Sequence, residues 1–128
     1  MSQVKPLVAV VDDDESVSRA IKRLLRSTGL ESDTFKTGDD FLDMFEAIPS
    51  YRPACIVLDV QMPGSNGLEV QRRLAGSGIP MVFITAHDEA GVRQQALAAG
   101  AAAYLRKPFN DEVLIKAVRT AIDLAKKP

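Results

Sequence analysis

Four apolar runs of this chain end on side chains able to do chemistry. Leu7-Val8-Ala9-Val10-Val11 stops at Asp12, Asp13 and Asp14, and Cys55-Ile56-Val57-Leu58 stops at Asp59. Met81-Val82-Phe83-Ile84 stops at Thr85, and Ala103-Tyr104-Leu105 leads through Arg106 to Lys107. Carboxylates gathered within a few ångströms repel: two unit charges 4 Å apart cost ~4 kcal/mol at an effective dielectric near 20. One of them takes up a proton unless a cation settles the conflict. An all-oxygen set of carboxylates, a carbonyl and water suits a hard divalent ion, Mg²⁺ or Mn²⁺. A hydroxyl and an ammonium are not needed to hold such an ion. Both can hold a phosphoryl group carried by one of the carboxylates.

These groups can meet only if the runs that carry them lie side by side and point the same way. Unbroken apolar runs of this length fit strands covered on both faces. Between them lie amphipathic segments. Val17, Ala20, Ile21, Leu24 and Leu25 recur at helical spacing before Gly29, which suits a left-handed cap. Ser32 to Phe35 is a shorter, more polar strand of the kind found at an edge. Thr37 can cap a helix carrying Phe41, Leu42, Met44 and Phe45 that ends before Pro49. Met62-Pro63-Gly64-Ser65-Asn66-Gly67 has loop composition, and Leu68, Gln71 and Leu74 mark a helix ending near Gly76-Ser77-Gly78. Glu89 to Ala99 forms an Ala-rich helix closed by Gly100. Val113, Leu114, Ala117, Val118, Ala121, Ile122 and Ala125 stripe a last helix that starts at Asn110 or Asp111. Five strands alternating with five helices predict an α/β fold: a parallel sheet in a three-layer sandwich. In open sheets of this class ligands bind outside the carboxyl ends of the strands. Asp12 to Asp14, Asp59, Thr85 and Lys107 all stand at such ends.

Length and charge narrow the function. A chain of 128 residues has room for one domain, read here as residues 1–128 with a core of about 7–124. With 16 Lys+Arg against 17 Asp+Glu the formal net charge is −1, so no basic field draws nucleic acid to this domain. No apolar run nears the ~20 residues of a spanning helix, and Met1 to Pro6 lacks the apolar stretch of a signal peptide; a cytoplasmic location is expected. The one cysteine, Cys55, allows no internal disulfide and reads as a buried strand thiol.

At Val10-Val11-Asp12-Asp13-Asp14, Leu58-Asp59-Val60-Gln61-Met62-Pro63, Asn66-Gly67-Leu68-Glu69, Ile84-Thr85-Ala86 and Lys107-Pro108-Phe109, the chain resembles the receiver domain of bacterial two-component response regulators. The likeness runs from Leu7 to about Leu124. Ile84 to His87 and Ala99 to Phe109 look most like the FixJ-like group. The resemblance implies a flavodoxin-like (βα)5 fold with strand order 2-1-3-4-5. It implies that Asp59 is the phosphoacceptor for a sensor histidine kinase or phosphotransfer protein. Asp12 and Asp13 match the acidic pair that holds Mg²⁺, with Asp13 the direct ligand. The apolar run ending at Val11 favours that register over Asp13-Asp14. Gln61 would lend the metal its backbone carbonyl, and Thr85 and Lys107 would bind phosphoryl oxygens. Pro108 matches a position with a cis peptide, which would aim Lys107 inward. Thr85 and Tyr104 match a switch pair, the ring turning inward as the hydroxyl moves toward the phosphoryl group. Gln61 and His87 occupy positions that tune phosphate lifetime.

The expected role is therefore a signalling phosphoacceptor, not a turnover enzyme, which controls a downstream output such as transcription. A phosphorylation-dependent homodimer through the fourth-helix, fifth-strand and fifth-helix face is expected, with Arg93, Leu97, Arg106 and Arg119 as exposed candidates. Two other readings compete with this one. A Mg²⁺ phosphatase of the haloacid-dehalogenase type also places Asp-x-Asp after its first strand, but this chain leaves no room for a substrate lid. A pseudo-receiver acting only as a binding module has no use for mutually repelling acids.

Overall fold

The computed structural model describes residues 6–62, 64–87 and 89–126. Met1 to Lys5, Pro63 of the expected loop, and Lys127 and Pro128 lie outside the described residues. In chain order the elements are β1 (Leu7–Val11), α1 (Glu15–Ser27), β2 (Glu31–Phe35), α2 (Gly38–Ala47) and β3 (Cys55–Asp59), followed by α3 (Gly67–Arg73), β4 (Met81–Thr85), α4 (Ala90–Ala98), β5 (Ala103–Arg106) and α5 (Asp111–Lys126). All strand pairs are parallel, in the order β2-β1-β3-β4-β5. This is the expected flavodoxin-like arrangement.

Alternate residues of each strand face opposite layers. Ala9, Val11, Ile56, Leu58 and Phe83 join Phe41 of α2, Val70 of α3 and Ala96 of α4 in one apolar layer. Val8, Val10, Val57, Val82 and Ile84 join Ile21 and Leu25 of α1 and Leu114, Val118 and Ile122 of α5 in the other. Every residue of β3 and β4 is buried, as strands covered on both faces require. Polar β2, Glu-Ser-Asp-Thr-Phe, takes one edge.

The caps fall where side-chain chemistry puts them. Asp14 accepts from the backbone N–H groups of Ser16 and Val17, Thr37 from Asp40, and Asn66 from Glu69. Gly29 and Gly100 close α1 and α4 with φ of +86° and +101°. One expectation needs correcting on α5. Val113 and Ala125 belong to its apolar stripe, but both are exposed, Val113 at 48%. Leu114, Val118, Ala121 and Ile122 fill the arc that faces the sheet, and Val113 falls to one side of it. Among the described residues no helix is long and apolar enough to cross a membrane.

Candidate functional site

Strand register decides what meets at the carboxyl edge. Val11 pairs with Leu58, Asp59 with Ile84, and Thr85 with Arg106, so residues from four strands end in one place. Asp12 is 1% exposed and Asp59 is 7% exposed, whereas Asp13 is open to solvent. One carboxylate oxygen from each of the three lies within 4.8 Å of the others. Of the three consecutive aspartates, Asp14 turns away to cap α1. Asp12 and Asp13 are thus the two that join Asp59.

Backbone donors and one ammonium hold the acids. Asp12 Oδ1 accepts from the Asp14 N–H at 2.9 Å, and Asp59 Oδ1 from the Gln61 N–H at 3.1 Å. Lys107 Nζ donates to Asp12 Oδ2 at 2.8 Å and to Asp59 Oδ2 at 3.2 Å. Its backbone N–H donates to the Thr85 carbonyl at 2.7 Å, and its peptide to Pro108 is cis. The hydroxyl of buried Ser18 donates to the Asp12 carbonyl at 3.3 Å, tying α1 to the same corner.

Burial pushes the Asp12 carboxyl above its ordinary range, against the opposing pull of the Lys107 hydrogen bond. For Lys107, burial works to depress the ammonium. Its bonds to the charged Asp12 and Asp59 outweigh that, and the group is held above the usual lysine range. Three acids face one ammonium, so negative charge is left over when all are ionised. All the side-chain donors are oxygen, and Asp13 stands at the mouth. That donor set fits a hard divalent cation such as Mg²⁺.

Other expected residues sit around the rim. Thr85 is buried, but its hydroxyl donates to the His87 carbonyl (3.0 Å) and accepts from the His87 N–H (3.1 Å), closing the turn after β4. His87 and Gln61 are exposed. Tyr104 is only 6% exposed, its ring 6.2 Å from that of Phe83 and beneath the Arg93 guanidinium at 5.1 Å. The ring is buried in the same structure in which the Thr85 hydroxyl bonds to His87. One of the expected dimer-face cations also differs. Arg93 is half-buried over Tyr104, and the exposed Arg119 donates to the Thr28 carbonyl after α1. Leu97, at 43%, and Arg106 are exposed as expected. Cys55 is buried, and its thiol is pushed up to about 12 by burial.

Three contacts carried no signal in the sequence. Besides the Ser18 bond, Gln71 Nε2 of α3 donates to the Ala96 carbonyl of α4 at 2.9 Å. The Ser65 hydroxyl donates to Asp39 Oδ1 of α2 at 2.6 Å. The last two join elements far apart in sequence through side chains of ordinary surface type.

Comparison with known proteins agrees with this geometry. Residues 8–119 match the family model described as the response regulator receiver domain. The response regulator protein TmoT of Ectopseudomonas mendocina is 39% identical over 127 residues, covering 98% of this chain and 56% of TmoT. The transcriptional regulatory protein TdiR of Thauera aromatica is 39% identical over 119 residues, covering 91% of this chain and 51% of TdiR. The chain spans about half the length of these curated relatives. Among solved structures, a response regulator receiver protein from Burkholderia phymatum is 66% identical with a TM-score of 0.85, covering 93% of this chain and 96% of that one. FixJ-N is 30% identical with a TM-score of 0.82, covering 94% and 96%.

Proposed function

This chain belongs to the response regulator receiver domain family of two-component signalling, and from that premise we propose that Asp59 is its phosphoacceptor. The observation that carries this reading is the meeting of Asp12, Asp13 and Asp59 with Lys107 at the carboxyl edge of the sheet. An Asp59 oxygen attacks the phosphorus of a phosphohistidine on a sensor histidine kinase or phosphotransfer protein. The P–N bond breaks, an acyl phosphate forms, and the imidazole leaves to take up a proton. Transfer of this kind needs in-line positioning and neutralised oxygens.

Asp12, Asp13, Asp59 and the Gln61 carbonyl would hold Mg²⁺, which when bound supplies positive charge to the transferring group. Lys107 supplies a second positive charge and is already placed on the acceptor carboxylate. Exposed Ala86 leaves the approach open. When Thr85 turns its hydroxyl to a phosphoryl oxygen, it releases the His87 carbonyl and loosens the turn into α4. That local event biases the surface made by α4, β5 and α5, including Tyr104, between two states. A phosphorylation-dependent homodimer through that face is part of the proposal. Exposed Gln61 and His87 border the site and tune phosphate lifetime.

The chain acts as one cytoplasmic receiver domain over residues 1–128 and does not itself bind nucleic acid. Its phosphate is lost slowly, without turnover of a substrate. An output in transcription is supported by relatives such as TdiR, named as a transcriptional regulator and about twice as long as the stretch it shares with this chain. The test is incubation with Mg²⁺ and acetyl phosphate, then intact-mass measurement. A gain of ~80 Da in the wild type and none in Asp59→Asn is the expected pair. An equal gain in both would refute the assignment.

A further inference from the structure

We propose that Asp39 and Ser65 are positioning residues for the metal pocket, acting through the loop that carries Gln61; this rests on the reading of Gln61 as a carbonyl ligand. The base of that loop is fixed twice by backbone bonds. Val60 N–H donates to the Ile84 carbonyl at 3.1 Å, and Gly67 N–H donates to the Val60 carbonyl at 2.9 Å. Gln61 leaves the first of these anchors, its N–H on Asp59 Oδ1. On the far side of the loop, residues 64–65 lie against the start of α2.

The contact with α2 is close and made at three points. Ser65 donates its hydroxyl to Asp39 Oδ1 at 2.6 Å, across 26 residues of sequence. A Cβ added at Gly64 would stand 2.6 Å from Asp39 Oδ2, and one added at Gly38 would stand 2.5 Å from the Ser65 carbonyl oxygen. The first turn of α2 and residues 64–65 are thus pressed together at two glycines and tied by a hydrogen bond to a charged acceptor, the stronger class of such bonds. Asp39 also lies in the first turn of α2, where negative charge is favoured. Its neighbour Asp40 shares that turn and supplies a control for helix effects.

The Val60 bonds hold the chain before the Gln61 carbonyl, and the tie holds Gly64 and Ser65 after it. Without the tie the carbonyl must be ordered when an ion arrives, and affinity falls by the cost of that ordering. Groups that orient metal ligands from outside commonly change affinity by ~10–100-fold when removed. Because Asp39 and Ser65 act through an intervening stretch of backbone, the lower end applies.

The experiment is titration of the full chain with MgCl2 by calorimetry, alongside amide hydrogen exchange of the loop without metal. Ser65→Ala and Asp39→Ala should each weaken Mg²⁺ by about tenfold and speed exchange at the Gln61 amide. The double variant should be no worse than either single one, since both remove the same bond. Ser65→Thr and Asp39→Asn keep a donor and an acceptor and should bind near the wild-type level. Asp40→Ala should bind as wild type does. Wild-type affinity in Ser65→Ala, or equal weakening in Asp40→Ala, overturns the proposal while leaving Asp59 as phosphoacceptor. A wild-type chain that fails to bind Mg²⁺ and fails to gain phosphate on Asp59 overturns the functional reading, and this one with it.

Discussion

Replacing Asp13 with asparagine should stabilise the protein without divalent cations and destabilise it, relative to the wild type, when they are present. The three carboxylates bring oxygens within 4.8 Å of one another. At that separation and an effective dielectric near 20, each pair costs about 3.5 kcal/mol. Asp13 faces two such neighbours, but its exposure lets water and salt screen both, reducing the relief to about 1–2 kcal/mol. Lys107 bonds to Asp12 and Asp59, so the substitution leaves those bonds in place. For a domain of this size, 1 kcal/mol moves the melting temperature by about 4 °C. In EDTA, Asp13→Asn should melt about 4–8 °C above the wild type. At a Mg²⁺ concentration a hundredfold above its dissociation constant, the wild type gains about 2.7 kcal/mol. The variant, lacking one anionic ligand, gains much less and the order inverts. Thermal melts followed by circular dichroism, with EDTA and with saturating MgCl2, measure both halves. A variant that melts no higher than the wild type in EDTA would show that the acids do not strain the fold. Equal gains from Mg²⁺ would show that Asp13 does not help hold the ion.

Two further substitutions probe the surroundings of the site. Gly67→Ala would place a Cβ 2.7 Å from the Asp59 carbonyl oxygen and 2.9 Å from the Phe83 ring. It should cost about 1–3 kcal/mol, read as a lower urea midpoint, and slow acetyl phosphate labelling because Asp59 must shift; an unchanged midpoint would mean the contact relaxes freely. Cys55 titrates near 9.0 when unfolded and near 12 when buried. A folded value raised above the unfolded one gives a contribution that is complete below pH 9 and fades as pH rises toward 12. Near pH 10.5 the wild type should have lost about 2 kcal/mol from this source. Denaturation curves at pH 8 and pH 10.5 should show a loss larger by that amount than in Cys55→Ala, and parallel losses would contradict it.

The strands and the acids were legible because their signals are local. A run such as Cys55 to Leu58 can be covered on both faces only in a sheet interior, and a charge at its end has to leave the core. Val11 marks the strand end clearly enough to separate Asp12 and Asp13 from Asp14, which in the structure caps α1. The two long-range contacts without a sequence signal are made by ordinary residues. Asp39 and Ser65 look like any helix-start acid and any loop serine, and only the packing of α2 against the loop brings them together. Arg93 departs from its expected exposure for the converse reason. An arginine stem reaches several ångströms, and composition does not tell whether its head lies in solvent, over Tyr104 or on the Thr28 carbonyl. Val113 shows the same limit at smaller scale, since a stripe read from sequence is wider than the arc a sheet can cover.

The ammonium on Asp12 and Asp59 reaches back 95 and 48 residues along the chain. As the polypeptide is synthesised, both acids emerge long before the residue that quiets them. Until the last strand joins, the first and third bring together charges that have no tethered counterpart. The final quarter of the sequence therefore acts as a completion signal, and a fragment ending before Lys107 would carry the acids without their lysine.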